Sequence, residues 1–301
     1  MIGLDQIADI VLGHDELRKY WPWYFVILAV HIVMRYVTTQ IIAAYVKKTV
    51  PNAKPHHPYK AADSFWFATY YLMTFICGAK VFINANMNPF KIMKHPELLN
   101  MKGPLPHSFI FFVFNEAAHY TTCLIYYNFD KRQNHSDWYM MLGHHFATLS
   151  LIYLSARIPE FQPGLIYSLF IHDFADFWME YAKYFRYLQN NVYYFFYLVL
   201  VPSWGIPRCF IFPATSIRCC IQYFERTPQI IALTIFEIII WIMDCVWWYM
   251  ILLMLKRALT GTLNKDVRSE DEEDVPFEEK EAKKLKTNSE KSKRSSSIKG
   301  E

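Results

Sequence analysis

The feature that most limits what this 301-residue chain can become is a set of long apolar runs divided by short polar segments. Several of them reach the roughly 20 residues that a helix needs to cross about 30 Å of hydrocarbon. No water inside a bilayer can satisfy a bare N–H or C=O, so such runs read as helices whose hydrogen bonds close within the segment. Seven are expected, at about 20–46, 64–85, 106–127, 139–155, 164–184, 192–212 and 230–255. The fourth is short. The sixth carries Pro202, Gly205 and Pro207 and reads as a broken helix, which lipid tolerates only where neighbouring helices or a polar cavity take up the freed backbone groups. Aromatic clusters at run ends, Tyr20-Trp21-Pro22-Trp23 and Trp247-Trp248-Tyr249, suit the headgroup belt. The expected fold is therefore all-α and polytopic.

Charge is distributed accordingly. A mean hydropathy of +0.07 averages a greasy body with a polar end, because residues 262–301 hold 10 of the 31 Lys/Arg and 11 of the 27 Asp/Glu. That end runs through SEDEEDVPFEEKEAKKLK to KSKRSSSIKGE and has almost nothing to bury, so 258–301 is expected to be a disordered tail. Ser269, ahead of Glu270-Asp271-Glu272-Glu273, has the context that acidophilic kinases read. No basic n-region leads into the first run, which is expected to stay as a span. Lys47, Lys48, Lys54 and Lys60 follow that run and favour a cytosolic first loop, with the N-terminus lumenal and, after seven spans, the C-terminus cytosolic. The sequon Asn134-His135-Ser136 then falls on the cytosolic side and is expected to carry no glycan.

The chain has no GxGxxG, GxxxxGK[ST] or HExxH string, so nucleotide-dependent and zinc-protease chemistry has no support. Its six cysteines show no CxxC spacing and read as reduced packing residues. An ionised side chain at the centre of a membrane helix costs roughly 2.5–3.5 kcal/mol on insertion scales, which makes intramembrane acids, bases and histidines functional candidates. The densest set is HDFADFWMEYAK at 172–183, where His172, Asp176 and Glu180 step by four and Asp173 stands three before Asp176. On a helix that spacing makes one polar stripe. His144-His145 lies in the fourth run, and Asn115, Glu116 and His119 lie in the third. For Glu116, His119, and Glu237 and Asp244 of the last run, each taken singly, the plainer reading is a satisfied bond between helices. Neutral histidine can exchange a proton near pH 7 or attack an activated carbonyl, and a carboxylate can fix its tautomer. His and carboxylate ligands at these spacings could instead hold zinc or two irons, but the HxxxH and HxxHH boxes of membrane hydroxylases are missing, and no metal is expected.

In their order these residues resemble a ceramide synthase of the TLC-domain superfamily. The likeness runs over about 60–301: Lys60 with DSFWFATYYLMTFICG at 63–78, DKRQNHSDWYMMLGHHFATLSL at 130–151, the HDFADFWMEYAK stripe, Trp204 and Arg208 in the Pro-rich run, and the acidic tail. Between His145 and His172 the pattern is kept at Ser155 and Gly164 but departs at Ala156, Pro159 and Gln162. The homeodomain-like insert of many animal relatives is missing, since only a short segment separates the first two runs.

The resemblance implies N-acylation of a sphingoid long-chain base by a fatty acyl-CoA in the endoplasmic reticulum membrane, giving ceramide or dihydroceramide. It implies a six-helix TLC barrel at 60–257, preceded by a lumenal segment, first helix and loop at 1–59. Either His144 or His145 deprotonates the amine or is acylated first, with His172, Asp173 and Asp176 orienting and tuning that imidazole and Asp176 its expected partner. Glu116, Glu180, Trp204 and Arg208 are expected to line the substrate site, with Arg208 paired to Glu237 or Asp244. Lys131, Arg132, Lys183 and Arg186 are expected at its cytosolic mouth, facing CoA phosphates. The expected partners are the two substrates and membrane lipid, with homo- or hetero-oligomers left open and no nucleic acid; acyl-CoA is a co-substrate and no resident cofactor is expected. The rival readings are a non-enzymatic TLC protein that binds lipid near the translocon, and a metal-dependent lipid amidase.

Overall fold

The computed structural model describes residues 19–50, 53, 55–84, 87–100, 107–129 and 138–260. Lys131, Arg132, the sequon at Asn134 and the tail with Ser269 lie outside the described residues. Among the described residues, seven long helices stand near the seven apolar runs: α1 (Trp21–Thr49), α2 (His57–Asn84), α3 (His107–Phe129), α4 (Trp138–Ala156), α5 (Gln162–Tyr187), α6 (Tyr193–Tyr223) and α7 (Pro228–Leu259). No strand occurs among the described residues. By length and composition α1, α2, α6 and α7 are able to cross a membrane, whereas α3, α4 and α5 carry more polar groups or fewer residues. The protein is a multi-pass membrane protein. Of the described residues, those up to Phe129 together with Met140–Leu253 make one compact unit, which holds the buried polar residues of the candidate site.

Local chemistry accounts for the helix limits. Pro22 stands in the first turn of α1, where its missing N–H costs nothing, and Lys47 and Lys48 sit in its last turn, where cations favour the exposed carbonyls. The burial pattern of α1 is inverted relative to a water-soluble helix. Its buried residues include His31 and Arg35, while Phe25, Val30, Val33 and Ile41 are more than half exposed, an arrangement that only an apolar solvent outside the bundle stabilises. On α2, a Cβ at Gly78 would sit 3.0 Å from the Phe170 ring of α5, so glycine there lets the two helices approach closely.

The sixth run differs from its expected form. It is not broken: an α-helical stretch to Trp204 passes into π turns at Gly205–Ile211 and Pro213–Ile217, then back to α-helix at Arg218–Tyr223. The wider i→i+5 turn accommodates Pro207 and Pro213, which lack an N–H, without ending the helix. Gly205 is required here because a Cβ would lie 2.5 Å from the Trp248 indole of α7. Between α2 and α3, a turn at Pro89–Ile92, capped by Asn88 Oδ1 accepting from Phe90 N at 2.9 Å, leads to a 3-10 turn at Pro96–Leu99. Ile92 and Leu99 are fully buried in the main core with Phe161, Leu165 and Phe212, and Asn100 Nδ2 donates to Tyr223 O at 2.9 Å. This segment thereby closes the end of the bundle at which α5 begins.

Candidate active site

The middle of α5 turns its acids and its imidazole inward: His172, Asp173, Asp176 and Glu180 are all buried. Two kinds of polar cluster result. In the first, every charge is partnered. Arg208, 2% exposed and carried on the π stretch of α6, donates from Nη2 to His172 O at 2.7 Å and pairs through the same nitrogen with Asp176 Oδ2 at 2.7 Å. Its Nη1 donates to Asp244 Oδ1 of α7 at 3.2 Å, and its guanidinium carbon lies 3.8 Å from the Trp204 ring centroid. The Trp204 indole N–H donates to Asp244 O at 3.1 Å. His172 gives its Nδ1–H to Ser168 O at 2.6 Å and shares a proton with Asp244 Oδ2 at 2.9 Å through Nε2. Three helices are therefore fastened around one guanidinium.

This pairing differs from the expected one. Asp176 meets Arg208, and the imidazole–carboxylate pair is His172–Asp244. Of the two acids expected for Arg208, Asp244 is the partner, while Glu237 accepts from Ser216 Oγ at 2.5 Å and from Cys220 Sγ at 3.4 Å. Glu180 is tied to Lys183 at 2.6 Å. All six cysteines are free.

The second cluster is unsatisfied. Asp173 and Glu116 are fully buried; the hydroxyls beside them, Thr74 and Tyr70, donate to backbone carbonyls instead, and none of the four carboxyl oxygens has a well-formed hydrogen bond among the described residues. They lie close enough for their charges to act on each other. The Tyr120 ring of α3 lies 5.8 Å from His145 and 6.4 Å from His144, and the charges of Asp173, Glu116 and Asp176 reach its hydroxyl. His144 meets the Trp247 ring edge-on at 5.2 Å and lies within the fields of Asp244, Arg208 and His172; its Nδ1 has no hydrogen-bond partner among the described residues. His145 is buried on the neighbouring face. The structure thus brings His144, His145, His172, Asp173, Asp176, Glu116, Trp204 and Arg208 into one polar interior.

Tyr120, Trp247 and Asp244 join the predicted set, and so does a neighbouring group on α1. His31 Nε2 bonds Asn115 Oδ1 at 3.0 Å, and the His119 ring stacks on Tyr70 at 3.6 Å. The signal for His31 and Arg35 was present: both are polar residues inside an apolar run. Among the described residues no group of three or more His, Cys, Asp and Glu is arranged to hold a metal ion.

The family profile described as TLC domain matches residues 60–253. "Ceramide synthase hyl-1" of Caenorhabditis elegans is 26% identical over 228 residues, covering 70% of this chain and 61% of the relative. "Ceramide synthase 3" of Mus musculus is 28% identical over 228 residues, covering 73% and 57% respectively. "Ceramide synthase LOH2" of Arabidopsis thaliana is 30% identical over 160 residues, covering 46% and 50%. The chain thus spans between half and about three fifths of the length of these relatives.

Proposed function

The chain belongs to the TLC-domain family, and from that premise we propose that it transfers a fatty acyl group from acyl-CoA to the amine of a sphingoid base, giving ceramide or dihydroceramide. The observation that carries the reading is the pair of buried carboxyl groups, Asp173 and Glu116, that lack a well-formed hydrogen bond among the described residues although they share an interior with two adjacent histidines. An amine and the hydroxyls beside it supply the N–H and O–H groups that these oxygens lack. The similarity to ceramide synthases from animals and a plant supports the same chemistry.

The thioester is already activated, so the protein supplies position and proton traffic. The amine lone pair forms the C–N bond, the amine proton passes to an imidazole of His144 or His145, the C–S bond breaks, and the departing thiolate takes a proton. In the two-step version the imidazole is acylated first and the amine displaces it. His172, Asp176, Asp244 and Arg208 hold α5, α6 and α7 in register around that imidazole. Six helices, α2 to α7, form the TLC barrel and α1 stands beside it, making seven spans in the endoplasmic reticulum membrane with the N-terminus lumenal and the C-terminus cytosolic. Lys183 and Arg186, near the end of α5, then stand at the cytosolic mouth, where CoA phosphates remain in water. The test uses microsomes that contain the full chain, supplied with acyl-CoA and labelled sphinganine. Ceramide read by mass above the level in cells lacking the protein is the expected result, and its absence overturns the proposal.

A further inference from the structure

Helix α1 lies outside the TLC match, yet it carries a cation into the bundle. Arg35 is 5% exposed, and its guanidinium lies between two rings, 4.1 Å from the Tyr126 centroid of α3 and 4.8 Å from that of Phe67 of α2. Its Nη2 donates to Asp63 Oδ1 at 3.4 Å, while Nε and Nη1 are buried with no hydrogen-bond partner among the described residues. The adjacent polar groups are already committed: the Tyr126 hydroxyl donates to Ile32 O at 3.3 Å and His31 bonds Asn115. An arginine whose whole task was to fasten α1 to α2 would present its fork to both oxygens of one carboxylate. Here a single long contact uses one corner and leaves two charged N–H donors in a low-dielectric interior, an arrangement that an incoming acceptor completes.

Position and charge select that acceptor. Arg35 is one helical turn along α1 from His31, towards the end of α3 where Tyr126 stands, and its charge reaches both His119 and His145. Asp63 already offsets the guanidinium charge and would repel a phosphate, so a neutral oxygen fits better than a second anion. We propose that Arg35 receives a carbonyl oxygen of the acyl donor, so that α1 completes a site begun by the TLC helices. The inference rests on the acyltransferase reading. Two carbonyls have this chemistry. If it is the thioester carbonyl, its π pair moves onto oxygen as the C–N or C–imidazole bond forms, Arg35 holds that developing charge, and the return of the pair breaks C–S. If it is an amide carbonyl of the pantetheine arm, Arg35 holds the donor without sharing in the chemistry.

The experiment compares full-length wild type with Arg35→Lys, which keeps the charge and the reach to Asp63 but removes the planar fork. Donor KM, kcat per folded molecule, melting temperature and inhibition by an S-alkyl-CoA thioether are measured; the thioether retains the amides and lacks the thioester carbonyl. A fall in kcat of about tenfold or more, with thioether inhibition unchanged, assigns the thioester carbonyl. A rise in donor KM with an equal weakening of the thioether assigns the amides. Wild-type values of donor KM, kcat and thioether inhibition in Arg35→Lys, whatever its melting temperature, overturn the inference alone. If wild type makes no ceramide, the inference falls together with the function. Should Arg35→Lys fail to accumulate, the pair Arg35→Gln with Asp63→Asn buries no lone charge and is read by the same criteria.

Discussion

Substituting Met for Arg208 keeps an unbranched stem of similar reach and removes the guanidinium around which α5, α6 and α7 meet. The change deletes the contacts to His172 O and Asp176 Oδ2 at 2.7 Å and to Asp244 Oδ1 at 3.2 Å, together with the stacking on Trp204 at 3.8 Å. Two buried carboxylates lose their shared counter-charge. Removing one partner of a buried ion pair costs about 3–5 kcal/mol, because the remaining charge is left without compensation. Against a total stability of roughly 5–15 kcal/mol that is about a fifth or more of what holds the bundle together. A loss of this size lowers the melting temperature by roughly 10 °C. The assay heats the full-length protein in detergent and follows the monodisperse peak by size-exclusion chromatography. Adding Asp176→Asn to Arg208→Met removes the carboxylate whose ion-pair partner was Arg208, whereas Asp244 keeps His172, and should recover about half of the loss. Arg208→Met melting with wild type, or a double variant no better than the single one, would refute the account of this arginine as the fastening between three helices.

Three further outcomes are expected. His144→Ala and His145→Ala should each lower ceramide formation by roughly 10²-fold or more, the scale of losing an acid–base group; the measurement is turnover at matched protein level, and near-normal rates in both exclude the proposed proton traffic. Asp173→Asn and Glu116→Gln should raise KM for the sphingoid base by about tenfold or more, with an unchanged or higher melting temperature, and kinetics together with thermal denaturation check both halves. A spaced sequon inserted after Asn134 should stay unmodified while one near Asn100 acquires an endoglycosidase-sensitive shift; the reverse pattern turns the bundle over in the membrane.

Helix positions were readable because lipid demands unbroken apolar length, and hydropathy measures that directly. What it measures poorly is helix that continues in polar residues. Helix α2 begins at His57, ahead of the expected 64, because the polar stretch to Asp63 remains helical, and Asp63 uses that turn to reach Arg35. Helix α6 ran past its prolines since π turns absorb them, a solution invisible to a rule that treats proline as a break. The site showed the same division. That polar residues within apolar runs gather inside the bundle follows from their cost in lipid, so the His172, Asp173, Asp176 set and the histidine pair stand out in the sequence, whereas Glu116 taken singly reads as a structural acid. Which acid meets which base depends on the rotation of three helices about their axes, and one sequence does not contain it. Asp244 was accordingly weighed as a lone structural acid, although it bonds both His172 and Arg208. Arg35 is visible as a charge inside an apolar run, but that its guanidinium is buried between rings of α2 and α3 depends on the packing of α1, which one sequence does not contain.

The two polar clusters can be told apart by the sign of what substitution does to stability. A buried ionisable group serves the fold when its partners are present, and removing it then destabilises. Arg208, Asp176, Asp244 and His172 are of this kind, since each has a hydrogen bond or ion pair to another member of the set. Asp173 and Glu116 are buried as deeply but lack a well-formed hydrogen bond among the described residues, so the fold carries their desolvation cost without return. Neutral amides in their place relieve that cost, and the two expectations therefore run in opposite directions: Arg208→Met loses stability first and activity through it, whereas Asp173→Asn loses amine binding while stability holds or rises. Stability sacrificed at a fixed position is the usual mark of a group kept for its ligand. Should Asp173→Asn instead unfold the protein as Arg208→Met does, Asp173 would belong to the fastening of the bundle, and the proposed site would no longer have its receptor for an amine.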